Sequence, residues 1–83
     1  MLTELVAGYV SARDRFVARI AVISAELNTW TEHHQETPPT LADLARFEGL
    51  RAERSSLLAE FQEFEDRFVV EMLQALSATH QRS

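Results

Sequence analysis

The residues of this chain best suited to chemistry stand together at Glu32, His33 and His34. Imidazole nitrogens and carboxylate oxygens are common zinc ligands. The two histidines are adjacent, however, whereas a helical metal pair needs ligands four residues apart, and neither predicted helix contains the Glu-x-x-His motif of di-iron bundles. Histidine titrates near neutral pH, so the charge of this segment could also vary with pH. The pattern favours a solvated loop, and we assign no metal ligand.

Arg13 and Arg54 each interrupt an otherwise apolar helical stripe. A polar residue in such a stripe can pair with a carboxylate and fix the register and oligomeric state of a helical assembly. The favoured alternative is that the aliphatic stem packs while the guanidinium stays in water. A third possibility is a pocket lined by arginine that binds an anionic ligand.

Acidic residues alternate with phenylalanines in the second half of the chain, at Glu60, Glu63, Glu65 and Asp66. Such a pattern is typical of the solvated face of an amphipathic helix. The functional alternative is an acidic surface that engages a basic partner, as an inhibitor of a nucleic-acid-binding protein would.

The sequence offers little for catalysis. It has no cysteine, which excludes a thiol nucleophile, a disulfide and a thiolate zinc site. A glycine-rich phosphate loop and a plausible Ser-His-Asp arrangement are also missing. Thirteen acidic and eight basic residues give a net charge of -5, which disfavours nucleic acid as a partner. We therefore predict a non-enzymatic protein without a cofactor.

Two long helices account for the apolar pattern. The first stripe repeats every seven residues at Leu2, Tyr9, Phe16, Ile23 and Trp30, which predicts a helix over about residues 2–31. Pro38 and Pro39 interrupt the pattern, so a loop is expected over about 32–39. Thr40 is a good N-cap, with Asp43 in the first turn. The second stripe, which predicts a helix over about 40–78, reads Leu44, Phe47, Leu50, Arg54, Leu57, Phe61, Phe64 and Phe68.

Two long helices joined by a short loop predict an all-α fold, an antiparallel two-helix hairpin with coiled-coil-like helices, in a single domain over residues 1–83. Equal rise along both helices places Trp30 near residues 41–44 and Phe16 near residues 54–57. On this register Leu2, at the start of the first helix, lies level with Phe68. The apolar run after Phe68 therefore lacks a partner in the same chain.

A chain of 83 residues has a marginal core, and without disulfides association is the leading way to bury apolar surface. We therefore expect a homodimer in which two hairpins form a four-helix bundle. A helix of a different protein in the same groove is the competing solution. The predicted interface residues are Tyr9, Phe16, Arg54, Phe61, Phe64, Phe68, Val69, Met72, Leu73 and Leu76.

The sequence contains no apolar run near the ~20 residues of a membrane span. Its N-terminal segment has an acid where a signal peptide carries basic residues, which predicts a soluble cytoplasmic protein. In general plan the chain is similar to small acidic helical adaptors, such as co-chaperones of bacterial secretion systems and proteins that sequester regulators. We expect a self-associating interaction module of this type. The alternatives are a bundle that binds a small ligand or a metal and an inhibitor with an acidic face.

Overall fold

The computed structural model describes residues 2–82, with side chains up to residue 79, and this part of the chain forms two helices and no strand. Helix α1 spans Leu2–His33 and helix α2 spans Leu41–Arg82. The helices pack against each other as a hairpin, which confirms the predicted all-α fold. Helix α1 continues two residues past its predicted end, and α2 continues four residues past its predicted end.

Thr40 starts α2 as its N-cap. Its hydroxyl Oγ1 accepts a hydrogen bond from the Asp43 amide at 3.2 Å, and Asp43 Oδ2 accepts one from the Thr40 amide at 2.9 Å. The Thr40 carbonyl accepts the first intrahelical bond, from the Leu44 amide at 3.0 Å. The shorter side chain of aspartate thus closes the reciprocal pair that glutamate usually forms in a capping box.

Trp30 and His34 hold the turn between the helices. Trp30 Nε1 donates to the Asp43 carbonyl at 2.9 Å, across the turn. The His34 ring lies 4.5 Å from the Trp30 ring, and its Nδ1 donates to the Thr37 carbonyl at 2.9 Å. The turn is therefore fixed by Trp30 of α1, which reaches the first turn of α2, and by His34, the residue that follows α1.

The core of the hairpin is small. Among the described residues only Ile23, Leu27 and Leu57 are buried, with 6%, 5% and 4% of their surface exposed. The radius of gyration is 19.2 Å, against about 12 Å for a compact domain of this length. The molecule is a rod of 66 × 16 × 13 Å between its outermost Cα atoms.

The helices pair about one turn away from the predicted register. The ring centroids of Trp30 and Phe47 lie 4.7 Å apart, whereas the sequence placed Trp30 near residues 41–44. Phe16 lies 5.3 Å from Phe61, whereas the sequence placed it near residues 54–57. The prediction was wrong because it placed Trp30 beside the turn, whereas α1 continues to His33 before the chain turns. As a result α1 reaches about one turn further along α2 than predicted.

Neither described helix carries a stretch that is both long and apolar enough to cross a bilayer.

A candidate interaction surface on one face of the hairpin

Aromatic rings fill the contact between the two helices at the end remote from the turn. The Tyr9 ring stacks on Phe68 at 4.4 Å and lies 5.8 Å from Phe64. Phe16 stacks on Phe61 at 5.3 Å and lies 5.9 Å from Phe64. All five rings were predicted interface residues, and each is half-buried within the same chain. We call this contact the aromatic seam.

A polar cluster lies at one edge of the aromatic seam. The Tyr9 hydroxyl donates a 2.6 Å hydrogen bond to Glu65 Oε2, from one helix to the other. This bond to the carboxylate raises the pKa of Tyr9, and partial burial and the negative charge of Glu65 raise it further. The Arg13 guanidinium lies 5.9 Å from the Tyr9 ring and also contacts Asp14 at 3.2 Å. No sequence feature indicates the Tyr9 contact, because finding it requires the register of the two helices.

The two arginines of the stripes are both half-buried. The Arg13 side chain is 43% exposed and its guanidinium reaches the surface, as expected for an arginine whose stem packs against apolar neighbours. Arg54 lies at a seam position between Leu50 and Leu57. In the part of the chain with described side chains, the ion pairs within 4.0 Å do not include Arg54.

Exposed apolar side chains collect on one side of the hairpin. Each lies on one flank of its helix, some 60–120° around the helix axis from the seam. The rotation is taken in the sense in which successive residues follow one another, at 100° per residue. Because α1 and α2 run in opposite directions, this turn leads to the same side of the molecule in both. The exposed members of this apolar face are Val6, Val17, Leu44, Leu58, Val69, Leu73 and Leu76, and Val10 is a half-buried member. Three other exposed apolar residues, Val22, Leu41 and Val70, lie outside it.

The opposite side of the hairpin is charged. There the flanks of both helices carry residues of both signs, and Arg46 pairs with Glu26 at 3.3 Å from one helix to the other. The residues of this charged face are Glu4, Arg15, Arg19, Glu26, Arg46, Glu53, Glu60, Arg67 and Glu71. The hairpin therefore has two unlike faces, one apolar and one with mixed charge.

The predicted interface residues after Phe68 differ in how exposed they are. Val69, Leu73 and Leu76 remain about half exposed or more, at 54%, 61% and 49%. Met72 is half-buried, because the corrected register brings α1 further along α2.

The four acids near the phenylalanines do not share one surface. Glu65 borders the apolar face, Glu60 belongs to the charged face, and Glu63 and Asp66 point away from the seam. Their spacing of one to three residues distributes them around α2. The geometry therefore gives an acidic docking surface little support.

The segment with adjacent histidines is more ordered than the sequence suggested. Glu32 and His33 belong to the last turn of α1, and the side chain of His34 is only 7% exposed because it packs on Trp30. The described residues hold no group of three or more histidine, cysteine, aspartate or glutamate side chains placed to bind a metal ion. His34 instead contacts Asp43, with Nε2 lying 3.7 Å from Oδ2.

Asp43 is also the best stabilised carboxylate at the turn. Hydrogen bonds from the Thr40 amide and hydroxyl lower the pKa of Asp43, and the nearby imidazoles of His34 and His33 lower it further. The polar side chains of Trp30, His34, Thr40 and Asp43 thus have local structural partners at the turn.

No protein-family model, curated protein or solved structure matches this chain.

Proposed function

We propose that this protein is a protein-protein interaction module that associates with a second copy of itself through the apolar face, forming a four-helix bundle. The observation that carries this proposal is the imbalance between the two sets of apolar side chains. Only Ile23, Leu27 and Leu57 are buried in the described hairpin. The exposed apolar residues are more numerous, and most of them share one face.

The energetics favour covering this face. Full burial of a valine or leucine side chain is worth ~1.5–3 kcal/mol, and a whole domain is stable by only ~5–15 kcal/mol. A hairpin with three buried residues has little of this stabilisation available from its own core. Even partial burial of the apolar face would therefore make a large contribution to the stability of the folded state.

The area of the face is sufficient for a specific dimer. The side of the hairpin that carries it, including the more polar part next to the turn, extends at most 66 by 16 Å between outermost Cα atoms. That is roughly 1,000 Å², compared with the about 800 Å² that each partner buries in an interface of standard size. The charged face would remain outward in both copies and available to a further partner, as in an adaptor.

The test uses two neighbouring valines of α2. Val69 lies on the apolar face and Val70 points away from the seam, yet their exposed fractions are 54% and 51%. We expect Val69→Glu to dissociate the dimer, because the carboxylate would have to be buried without a partner. Val70→Glu adds the same charge one residue away and should leave the dimer intact. Sedimentation at micromolar concentration measures both masses.

A wild-type chain that sediments as a folded monomer would contradict the proposal. Equal loss of association in both valine variants would show that added charge, and not the position on the apolar face, causes the effect. Circular dichroism distinguishes dissociation from loss of helix in each variant.

A further inference from the structure

The apolar face is built of layers, each with one residue from α1 and one from α2. The observed pairing, in which Tyr9 stacks on Phe68 and Phe16 on Phe61, sets which residues stand at equal height. With this offset Val10 stands within two residues, or about 3 Å, of the height of Val69, and Val17 stands equally close to the height of Leu58. The end remote from the turn therefore carries two apolar layers.

A charged layer separates those two apolar layers. It consists of Arg13 on α1 and Glu65 on α2, which stand nearly level on the same side of the aromatic seam. Glu65 is held there by the Tyr9 hydroxyl through Oε2. Arg13 also pairs at this height with Asp14 of its own helix, at 3.2 Å.

Toward the turn the same face becomes polar. Ser24 and Asn28 of α1 stand near the height of Arg51 and Ser55 of α2. Arg51 pairs there with Glu48, one turn earlier on the same helix, at 3.1 Å. The face is therefore asymmetric along its length, with an apolar half remote from the turn and a more polar half next to it.

From this asymmetry we infer that the two hairpins associate with both turns at the same end of the bundle, related by a twofold axis along its length. This inference rests on the proposed self-association. In this arrangement α1 of each copy lies against α2 of the other, and every layer meets its own copy. Val10 then contacts Val69 of the second copy, and Val17 contacts Leu58 of the second copy.

Charge complementarity supports the same arrangement. The charged layers of the two hairpins coincide, so Arg13 of each copy faces Glu65 of the other. In the opposite arrangement the two turns lie at opposite ends of the bundle, and the apolar half of one copy packs against the polar half of the other. Val10 would then face Asn28, and Val69 would face Glu48, which leaves buried polar groups opposite apolar ones.

A pair of spin labels in the turn distinguishes the two arrangements. The chain has no cysteine, so Gln35→Cys provides a single labelling site at an exposed position outside both faces. Turns at the same end should give a label separation below about 30 Å, from the ~10–12 Å diameter of each helix. Turns at opposite ends should give about 50 Å, from the 1.5 Å rise per residue.

Disulfide formation gives a second readout. An equimolar mixture of Val10→Cys and Val69→Cys chains should form a cross-linked dimer under mild oxidation. Leu58→Cys alone should not, because the two Leu58 positions lie on diagonally opposed helices, beyond the ~7 Å Cα separation that a disulfide spans.

The outcomes separate this inference from the proposed function. A separation near 50 Å, or efficient cross-linking of Leu58→Cys alone, would overturn the arrangement while leaving self-association in place. A monomeric wild-type chain would overturn both. Sedimentation of labelled Gln35→Cys beside the wild type shows that the label leaves association unchanged.

Discussion

Tyr9 of α1 donates a 2.6 Å hydrogen bond to Glu65 of α2, a residue 56 positions away in the sequence. This contact is a polar link between the helices at the edge of an otherwise aromatic seam. It also holds the carboxylate of Glu65 at the border of the apolar face. The register of the hairpin and the charge pattern of its candidate interface are therefore connected through one side chain.

The Tyr9 contact predicts a loss of stability at high pH. The hydrogen bond that the Tyr9 hydroxyl donates to Glu65 raises the pKa of Tyr9 in the folded state. The contribution of this hydrogen bond to the free energy of unfolding is therefore complete below the unfolded pKa of about 10. It is lost as the pH rises through the higher folded value. Because the chain has no lysine or cysteine and a single tyrosine, Tyr9 is the only side chain that titrates between about pH 9 and 11.5. Urea unfolding across this range measures the decline.

Tyr9→Phe keeps the ring and removes the titrating group, so its stability should be nearly constant over the same pH range. Glu65→Gln keeps Tyr9 but removes the carboxylate, and it should give a smaller decline than the wild type. If Tyr9→Phe loses stability above pH 10 as steeply as the wild type, the assignment to this contact is incorrect.

The cap of α2 predicts a loss of stability at low pH. Hydrogen bonds from Thr40 lower the pKa of Asp43, so its contribution is present above the unfolded pKa of about 3.9 and is lost as the pH falls through the lower folded value. Asp43→Asn has the same shape without the charge. It should be less stable than the wild type at neutral pH, and the difference should shrink below about pH 4. Thermal unfolding at fixed protein concentration measures the difference.

Asp66→Asn is the matched control, because Asp66 is exposed on the outer side of α2, and it should match the wild type at neutral pH. Thr40→Ala removes the other half of the cap and should cost about 1 kcal/mol at neutral pH. A difference for Asp43→Asn that persists undiminished at pH 2 would mean that the charge of Asp43 is not the cause.

Gly49 lies in the interior of α2, and a Cβ atom built on it meets no atom within 4 Å. Within the hairpin this glycine serves no close approach of the helices. We expect Gly49→Ala to stabilise the protein by about 1 kcal/mol, because alanine loses less backbone entropy in a helix. Urea unfolding of the variant at the wild-type concentration measures this gain.

Ala52→Gly makes the reverse change three residues away, at another exposed position of α2, and should destabilise the protein by a similar amount. A Gly49→Ala variant that is less stable or associates more weakly would reveal a close approach to Gly49 in the assembled protein.

Local sequence features predicted the helices well. Proline at 38 and 39 must interrupt a helix, and Thr40 followed by Asp43 forms the cap that restarts it. The seven-residue spacing of Leu2, Tyr9 and Phe16 belongs to one side of α1 whatever the rest of the chain does. These features depend on neighbours within a few residues, which is why the sequence was sufficient for them.

The register could not be predicted in the same way. It depends on how Trp30 and His34 fold over the first turn of α2, and on the bond from Trp30 to the Asp43 carbonyl. A change of one turn still places apolar residues opposite apolar residues, so periodicity does not distinguish the alternatives. The contact between Tyr9 and Glu65 could not be predicted for the same reason.

By itself the sequence determined that the chain has more apolar surface than two helices can bury, because it fixes the number and spacing of apolar residues. Only the tertiary structure decided how they are divided. Phe61, Phe64 and Phe68 turn toward α1, whereas Val69 and Leu58 remain on the exposed flank. The physical reason is that the rotation of each helix about its axis is set by which side chains fill the seam, and that is a property of the packed pair.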